Sequence, residues 1–182
     1  APYFYDDFPP AAQARRMFDE YVETVTRLQA SYRDELPILV GVEIEYIPGC
    51  EAAIEQFLAA YEFDYTVGSV HFIGEYTYDL SKETYDAGVI AYGGMDPWVE
   101  EYYRRVRGLL DMGVTDVLGH LDLIKIFADD PREGYRTPRV RKAEQLTLEA
   151  VARADVVLDV NARGLIKSCA EVYPGPGLLA DA

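Results

Sequence analysis

The apolar positions of the chain change their spacing several times, from the three-to-four-residue period of a helix to the shorter period of a strand. They recur at three and four positions from Ala11 to Tyr32, which predicts an amphipathic helix. Strands are predicted at residues 38–46, 65–73, 117–123 and 156–160, and further helices at residues 51–61, 96–112 and 139–154. Strands that alternate with helices of this length are typical of βα units. The predicted fold class is α/β, a mainly parallel sheet of about four units with covering helices, open or barrel-like.

Three segments carry more specific expectations. Residues 75–94 are rich in Tyr and Gly and long for a connection, which predicts a substrate-facing excursion or lid. Residues 129–138 are predicted to form a polar loop. The mostly apolar run at 156–160 predicts the clearest buried strand of the chain.

Charge restricts the partners that the chain can bind. Its 17 basic and 32 acidic residues give a net charge of −15, which repels nucleic-acid phosphates and anionic membrane surfaces. An anionic substrate would therefore need a few placed basic residues or bound metal cations. No apolar run approaches the length of a membrane helix. The two cysteines, Cys50 and Cys169, are predicted to be ordinary thiols of a cytoplasmic protein.

The two ends of the chain look cut. It begins with Ala1 rather than Met, and residues 177–182 resemble the opening of a helix. The sequence therefore predicts a fragment of a longer protein.

Polar side chains lie at the end of every predicted strand, where the chemistry of parallel α/β folds gathers. They are Glu43 and Glu45 on the first strand, His71 on the second, His120 and Asp122 on the third, and Asn161 with Arg163 after the fourth. A single histidine in a strand is more often a buried core residue than a ligand. Two histidines and a carboxylate on successive strand ends, however, match the nitrogen and oxygen ligands of zinc, manganese or iron.

Glu43 is the carboxylate that this hypothesis favours as a ligand. Glu43 and Glu45 point to the same face of the strand, which is a solvated face in the simplest interpretation. The apolar neighbours Val42 and Ile44 instead suggest a strand buried on both faces, where a carboxylate needs a cation. The sequence has no glycine-rich phosphate loop and no Gly-x-Ser-x-Gly elbow. A glycosidase with paired carboxylates stays possible, but it would not explain the histidines.

Five segments together resemble histidinol-phosphatases of the polymerase-and-histidinol-phosphatase (PHP) superfamily. They are GVEIEY at 41–46, FDYTVGSVHF at 63–72, GHLDL at 119–123, LDVN at 158–161 and EVYP at 171–174. The resemblance implies the central part of a distorted (β/α)7 barrel, with two or three divalent metal ions at the strand ends. It also implies hydrolysis of a small phosphate ester, L-histidinol phosphate, in histidine biosynthesis.

The resemblance assigns roles to particular residues. It implies that Glu43 bridges metals and that His71 and His120 are ligands, so that these three are the catalytic and metal-binding residues. Two further residues, Asp122 and Asn161, are expected to orient ligands without binding metal. Phosphate is expected to meet Arg163 or Lys167; the family's basic position is Ile166 here, so the choice between the two stays open.

The chain also departs from the family. Three motifs of the family do not occur in the sequence: the opening His-x-His, the Asp-His or Glu-His element and the closing Asp-x-His. With the middle intact, this predicts that residues 1–182 are a partial PHP domain that lacks both ends and is inactive by itself. Two alternatives stay open: another PHP phosphoesterase, for nucleotide or phosphotyrosine substrates, or a non-catalytic module that has kept the barrel and lost its metal ends.

Overall fold

The structure, a computed structural model, describes residues 11–128 and 135–181. The helices in these ranges are α1 (Ala11–Tyr32), α2 (Glu51–Leu58), α3 (Lys82–Ala91), α4 (Met95–Asp111), α5 (Pro138–Val151) and α6 (Pro176–Asp181). The strands are β1 (Gly41–Glu45), β2 (Tyr65–Ser69), β3 (Phe72–Ile73), β4 (Tyr76–Thr77), β5 (Val117–Leu118) and β6 (Val157–Leu158). None of these helices is both long and apolar enough to cross a membrane.

Four of the strands form one parallel sheet in the order β1-β2-β5-β6. Helix α2 connects β1 to β2, helices α3 and α4 lie between β2 and β5, and α5 connects β5 to β6. Strands β3 and β4 form a separate antiparallel pair. The predicted α/β class with about four βα units is confirmed. All four carboxyl ends therefore lie along the same edge of the sheet.

Strand β1 has one buried face, and the expectation that it is buried on both faces is wrong. Val42, Ile44 and Tyr46 are all at least 92% buried among the core residues. The side chain of Glu43, on the opposite face, is 52% exposed. The reason is the two-residue period of a strand, which puts every apolar residue on the side of the helices. In the described residues, the face that carries Glu43 is open.

Helix α4 covers the buried face of the sheet. Its Trp98, Tyr103 and Leu109 are completely buried. Gly68 in β2 allows the close approach, because a Cβ atom there would lie 2.4 Å from Thr115 Oγ1 and 2.9 Å from Leu109 Cδ2. The helix begins after Gly94, which has a φ of 127° and is followed by Met95.

The prediction of an excursion or lid at residues 75–94 is wrong. The segment contains β4 and all of a ten-residue helix, α3, whose N-terminus is capped by the Ser81 side chain. Tyr78 and Tyr85 are completely buried. These two tyrosines are core residues, and Tyr76 and Tyr92 are partly buried against the same core.

All four predicted strands are shorter than expected, and the third and the fourth have only two residues each. The third ends at Leu118, and the chain then turns through His120 into a 3-10 turn at Leu123–Lys125. The fourth is only Val157–Leu158, and Val157 is 66% exposed, so the prediction of a buried strand at 156–160 is wrong. Within the described ranges β6 pairs only with β5 and lies at the sheet edge, which leaves its outer face uncovered. Most of the polar loop predicted at 129–138 lies outside the described residues.

Candidate metal centre

Glu43, His71 and His120 come together at the carboxyl ends of three neighbouring strands. Glu43 lies near the end of β1, His71 follows β2, and His120 follows β5. The parallel order of these strands brings residues that are 28 and 49 positions apart in sequence to one place. One ligand atom from each side chain lies within 4.8 Å of the other two.

The carboxylate of Glu43 lies between the two imidazoles. Its Oε1 atom is 3.7 Å from His71 Nε2 and 3.5 Å from His120 Nε2. The two rings meet edge to face, with centroids 4.9 Å apart. Two nitrogen donors and one carboxylate oxygen, converging on a common point, form a donor set that fits zinc and similar divalent cations.

The charges of this cluster favour an ionised Glu43. A hydrogen bond with His120 is the main reason that the pKa of the Glu43 carboxyl is lowered to about 2, and the nearby imidazoles add to the effect. Partial burial opposes this shift. For His71, burial opposes the charged form, but the carboxylate of Glu45 outweighs it and raises the pKa of the ring. Glu43 is thus available as an anionic ligand.

His120 is held mainly by its backbone. Its φ of 26° lies in the left-handed region, which residues with a side chain seldom adopt. The preceding Gly119 has no room for a side chain, because a Cβ atom would lie 2.6 Å from Ser69 Oγ. His120 Nδ1 is buried and has no hydrogen-bond partner among the described residues. Backbone strain and an unpartnered polar atom at the same residue are typical of a functional site.

Glu45 contacts His71 in a way that the sequence alone did not predict. Its Oε2 atom is 2.7 Å from His71 Nδ1. Its Oε1 atom accepts hydrogen bonds from the backbone N–H groups of His71, at 2.8 Å, and of Phe72, at 3.2 Å. The Glu-x-Glu spacing did place Glu45 on the face of Glu43, but nothing in the sequence paired it with His71.

One buried tyrosine supports the backbone beside each of the two histidines. Tyr78 donates its hydroxyl hydrogen to the carbonyl of Val70, and Tyr102 donates to the carbonyl of Leu121 at 2.8 Å. The two rings meet edge to face with centroids 5.4 Å apart. Burial raises the pKa of both hydroxyls, so they remain neutral donors. These tyrosines lie in segments with no sequence signal for such a role.

Asn161 and Asp122 lie in different surroundings. The Asn161 side chain donates to Asp159 Oδ2 at 3.0 Å, and the same oxygen lies 3.5 Å from the backbone nitrogen of His120. Asp122 instead accepts from Lys125 Nζ at 2.7 Å and from the backbone N–H of Gly175 at 2.8 Å. Burial raises the pKa of Asp122. Asn161 is therefore connected to His120 through Asp159. The two hydrogen bonds of Asp122 instead hold it to Lys125 and to the backbone at Gly175.

The structure does not bring Arg163 or Lys167 into contact with the cluster. Arg163 is exposed in a 3-10 turn, Ala162–Ile166, that follows β6, and Lys167 comes directly after that turn. The backbone N–H of Arg163 donates to Asn161 Oδ1 at 2.9 Å. Neither side chain forms an ion pair with any residue in the described ranges; Arg163 is exposed and Lys167 is half-buried.

Comparison with known proteins identifies relatives of the chain. The model of the PHP domain family matches residues 12–163. A probable histidinol-phosphatase of Deinococcus radiodurans is 31% identical over 179 residues, which cover 98% of this chain and 64% of the relative. The histidinol-phosphatase of Bacillus subtilis is 30% identical over 185 residues, covering 93% of this chain and 67% of the relative. The probable histidinol-phosphatase of Schizosaccharomyces pombe is 29% identical, and the chain spans 55% of its length.

The fold is also found in a solved structure. It is a histidinol phosphate phosphatase from Lactococcus lactis in complex with zinc, L-histidinol and phosphate. The TM-score is 0.67 at 22% sequence identity, over 90% of this chain and 60% of that one. The agreement in fold and the family match over residues 12–163 lead to one conclusion: this chain belongs to the PHP domain family.

Proposed function

We propose that the protein is a metal-dependent phosphate-monoester hydrolase and that its substrate is L-histidinol phosphate. One observation carries the proposal: a carboxylate and two imidazoles meet at the carboxyl ends of neighbouring parallel strands in a PHP-domain chain. The names of the relatives support the substrate. The zinc, L-histidinol and phosphate of the Lactococcus lactis structure support the metal and the site.

In this proposal Glu43, His71 and His120 hold the metal. Zinc, manganese and iron all accept this combination of oxygen and nitrogen donors. A divalent cation supplies two effects when bound: it lowers the pKa of a bound water toward 7 and it offsets the charge of phosphate oxygens. The ionised Glu43 would supply the negative charge of the site, and its Oε1 atom lies within 3.7 Å of a ring nitrogen of each histidine.

The remaining residues are proposed to bind the phosphate group or to orient the metal ligands. Arg163 and Lys167 are proposed to contact the phosphate group, since both follow β6 and both have unpaired charges among the described residues. Such a basic group is needed locally because the chain carries a net charge of −15. Asn161 would orient His120 through Asp159, and Asp122 would hold the turn after His120 in place through Lys125.

A substrate comparison tests the proposal. The protein is expressed with the flanking segments that the sequence predicts on either side of residues 1–182, and it is loaded separately with zinc, manganese or iron(II). Phosphate release is then measured from L-histidinol phosphate, phosphotyrosine and nucleoside monophosphates. We expect the highest kcat/KM with L-histidinol phosphate, loss of activity with a chelator and recovery on metal addition. Equal rates on all the esters would contradict the proposed substrate. Phosphate release that is insensitive to the chelator would contradict the proposed dependence on a metal.

A further inference from the structure

Glu45 contacts both the ring of His71 and the backbone beside it. One oxygen accepts the backbone N–H groups of His71 and Phe72, at 2.8 and 3.2 Å. The other oxygen lies 2.7 Å from Nδ1 of the His71 ring. A single carboxylate therefore fixes both the backbone and the ring of this histidine. The contact is partly buried, with side-chain exposures of 24% for Glu45 and 26% for His71.

The two carboxylates of β1 face opposite nitrogens of the same ring. Glu45 is next to Nδ1, and Glu43 Oε1 is 3.7 Å from Nε2. An ionised carboxylate can only accept a hydrogen bond, so the short contact at Nδ1 requires a hydrogen on that nitrogen. A neutral imidazole carries one N–H, which leaves the lone pair on Nε2. That lone pair points toward Glu43 and the cluster.

We infer that Glu45 is a positioning residue of the metal centre, which fixes His71 in the tautomer with its hydrogen on Nδ1 and its lone pair on Nε2. The role in metal binding rests on the proposed function, whereas the choice of tautomer is a property of the metal-free protein. Histidines that bind metals generally donate their other N–H to a carboxylate or carbonyl, and loss of that partner weakens metal binding. Glu45 meets this requirement for His71.

The substitution Glu45→Gln separates this role from simple packing. The amide oxygen of Gln can still accept from the backbone N–H groups of His71 and Phe72. Its NH2 group, however, then faces Nδ1 and can only donate, which moves the ring hydrogen to Nε2. We expect zinc binding to weaken by about 10- to 100-fold. The matched control is Glu55→Gln, which makes the same chemical change at an exposed position on α2.

Two measurements read the outcome. Nitrogen-15 NMR of the metal-free protein at about pH 9, well above the ordinary histidine pKa, reports which ring nitrogen carries the hydrogen. The chain has two histidines, so a His120→Gln variant assigns the spectrum. Zinc affinity is measured by competition with a chromogenic chelator, without any phosphatase assay. Thermal unfolding of each metal-free variant shows whether it is folded.

The expected result is an Nδ1–H tautomer in wild type and in Glu55→Gln, and an Nε2–H tautomer with weaker zinc binding in Glu45→Gln. The inference is overturned if wild type has the Nε2–H tautomer, or if Glu45→Gln keeps both the wild-type tautomer and the wild-type zinc affinity. Should Glu45→Gln fail to fold, Glu45→Ala is measured instead. It should show mixed tautomers and weaker zinc binding, and wild-type behaviour in both would overturn the inference. A wild-type protein that binds no zinc would contradict the proposed function, while the NMR comparison would still decide the role of Glu45.

Discussion

At the scale of single residues, the two histidines of the cluster are held by different means. His71 is fixed by side-chain and backbone contacts with Glu45. His120 is fixed by a left-handed backbone after Gly119, and its side chain is 13% exposed. The two devices use different residues, so a substitution of Glu45 should loosen His71 without changing the backbone conformation that places His120.

Removal of a ligand should lower the amount of bound metal. In Glu43→Gln and in His120→Ala, the cluster loses one of its three donors, and we expect less metal per chain and loss of phosphatase activity. Elemental analysis of the purified variants checks the first expectation and a phosphate-release assay the second. Glu55→Gln is the control. Wild-type metal content in both variants would contradict a shared site.

Loss of the basic residues after β6 should weaken substrate binding. A charge-assisted contact with phosphate contributes to ground-state binding, so Arg163→Ala and Lys167→Ala should raise KM. They should lower kcat as well if the contact tightens in the transition state. Steady-state kinetics of the two single variants and the double variant separate their contributions, with the exposed Arg141→Ala on α5 as control. Unchanged kinetics in the double variant would place the phosphate elsewhere.

At the scale of elements, helix α4 connects the core to the site. Its Tyr102 reaches the carbonyl after His120, and the neighbouring Tyr103 faces α5, where its hydroxyl is 3.4 Å from Glu144. Arg107 of α4 donates to Thr147 of α5 at 2.8 Å. The Tyr103 contact is buried and the Arg107 contact is partly buried, so the position of α4 depends on their being satisfied. The contacts between α4 and α5 thus help to fix the position of Tyr102, which in turn holds the turn that carries His120.

The buried carboxyl of Glu144 should make stability depend on pH. Burial raises its pKa above the ordinary 4.5, although Arg136 opposes the shift. Between pH 4.5 and the raised pKa the folded chain keeps a proton that the unfolded chain loses, so this contribution to stability falls as pH rises. Glu144→Gln lacks this titration. The free energy of unfolding of wild type minus that of Glu144→Gln should therefore decrease with rising pH.

Urea unfolding of both proteins at a series of pH values checks this sign. The exposed Glu149→Gln on the same helix is the matched control. A difference between wild type and Glu144→Gln that stays constant or grows with pH would show that Glu144 does not carry a raised pKa.

At the scale of the whole molecule, the sheet has one face covered by helices and one face that is open in the described residues. The core lies between the sheet and α4, while the cluster lies on the open face at the carboxyl edge. A cation bound there would contact residues at the carboxyl ends of three separate strands. Binding should therefore stabilise the sheet as a unit, because those residues converge only in the folded state.

Metal addition should raise the stability of the folded chain. A ligand at 100 times its Kd that binds only the folded state adds about 2.7 kcal/mol to the free energy of unfolding. We expect zinc to raise the midpoint of thermal unfolding, a chelator to reverse the change, and His71→Ala with His120→Ala to abolish it. An equal zinc-induced shift in the double variant would place the stabilising metal at another site.

Features that depend on the local pattern of residues could be predicted from the sequence. The period of the apolar residues predicted α1 with its observed bounds and the alternation of strands and helices, since each follows from which residues face the core. The positions of Glu43, His71 and His120 at strand ends followed from the same alternation, because parallel strands bring their carboxyl ends to one edge. The structure brings these three side chains together.

Features that depend on contacts between distant segments could not be predicted from the sequence. The pairing of Glu45 with His71 joins residues 26 positions apart, and neither has a local signal for the other. Tyr78 became a core residue because its ring packs on Tyr102. Val157 is exposed because, among the described residues, β6 pairs on one side only. In each case the outcome depends on what packs against the residue, and the spacing of residues along one segment does not contain that information.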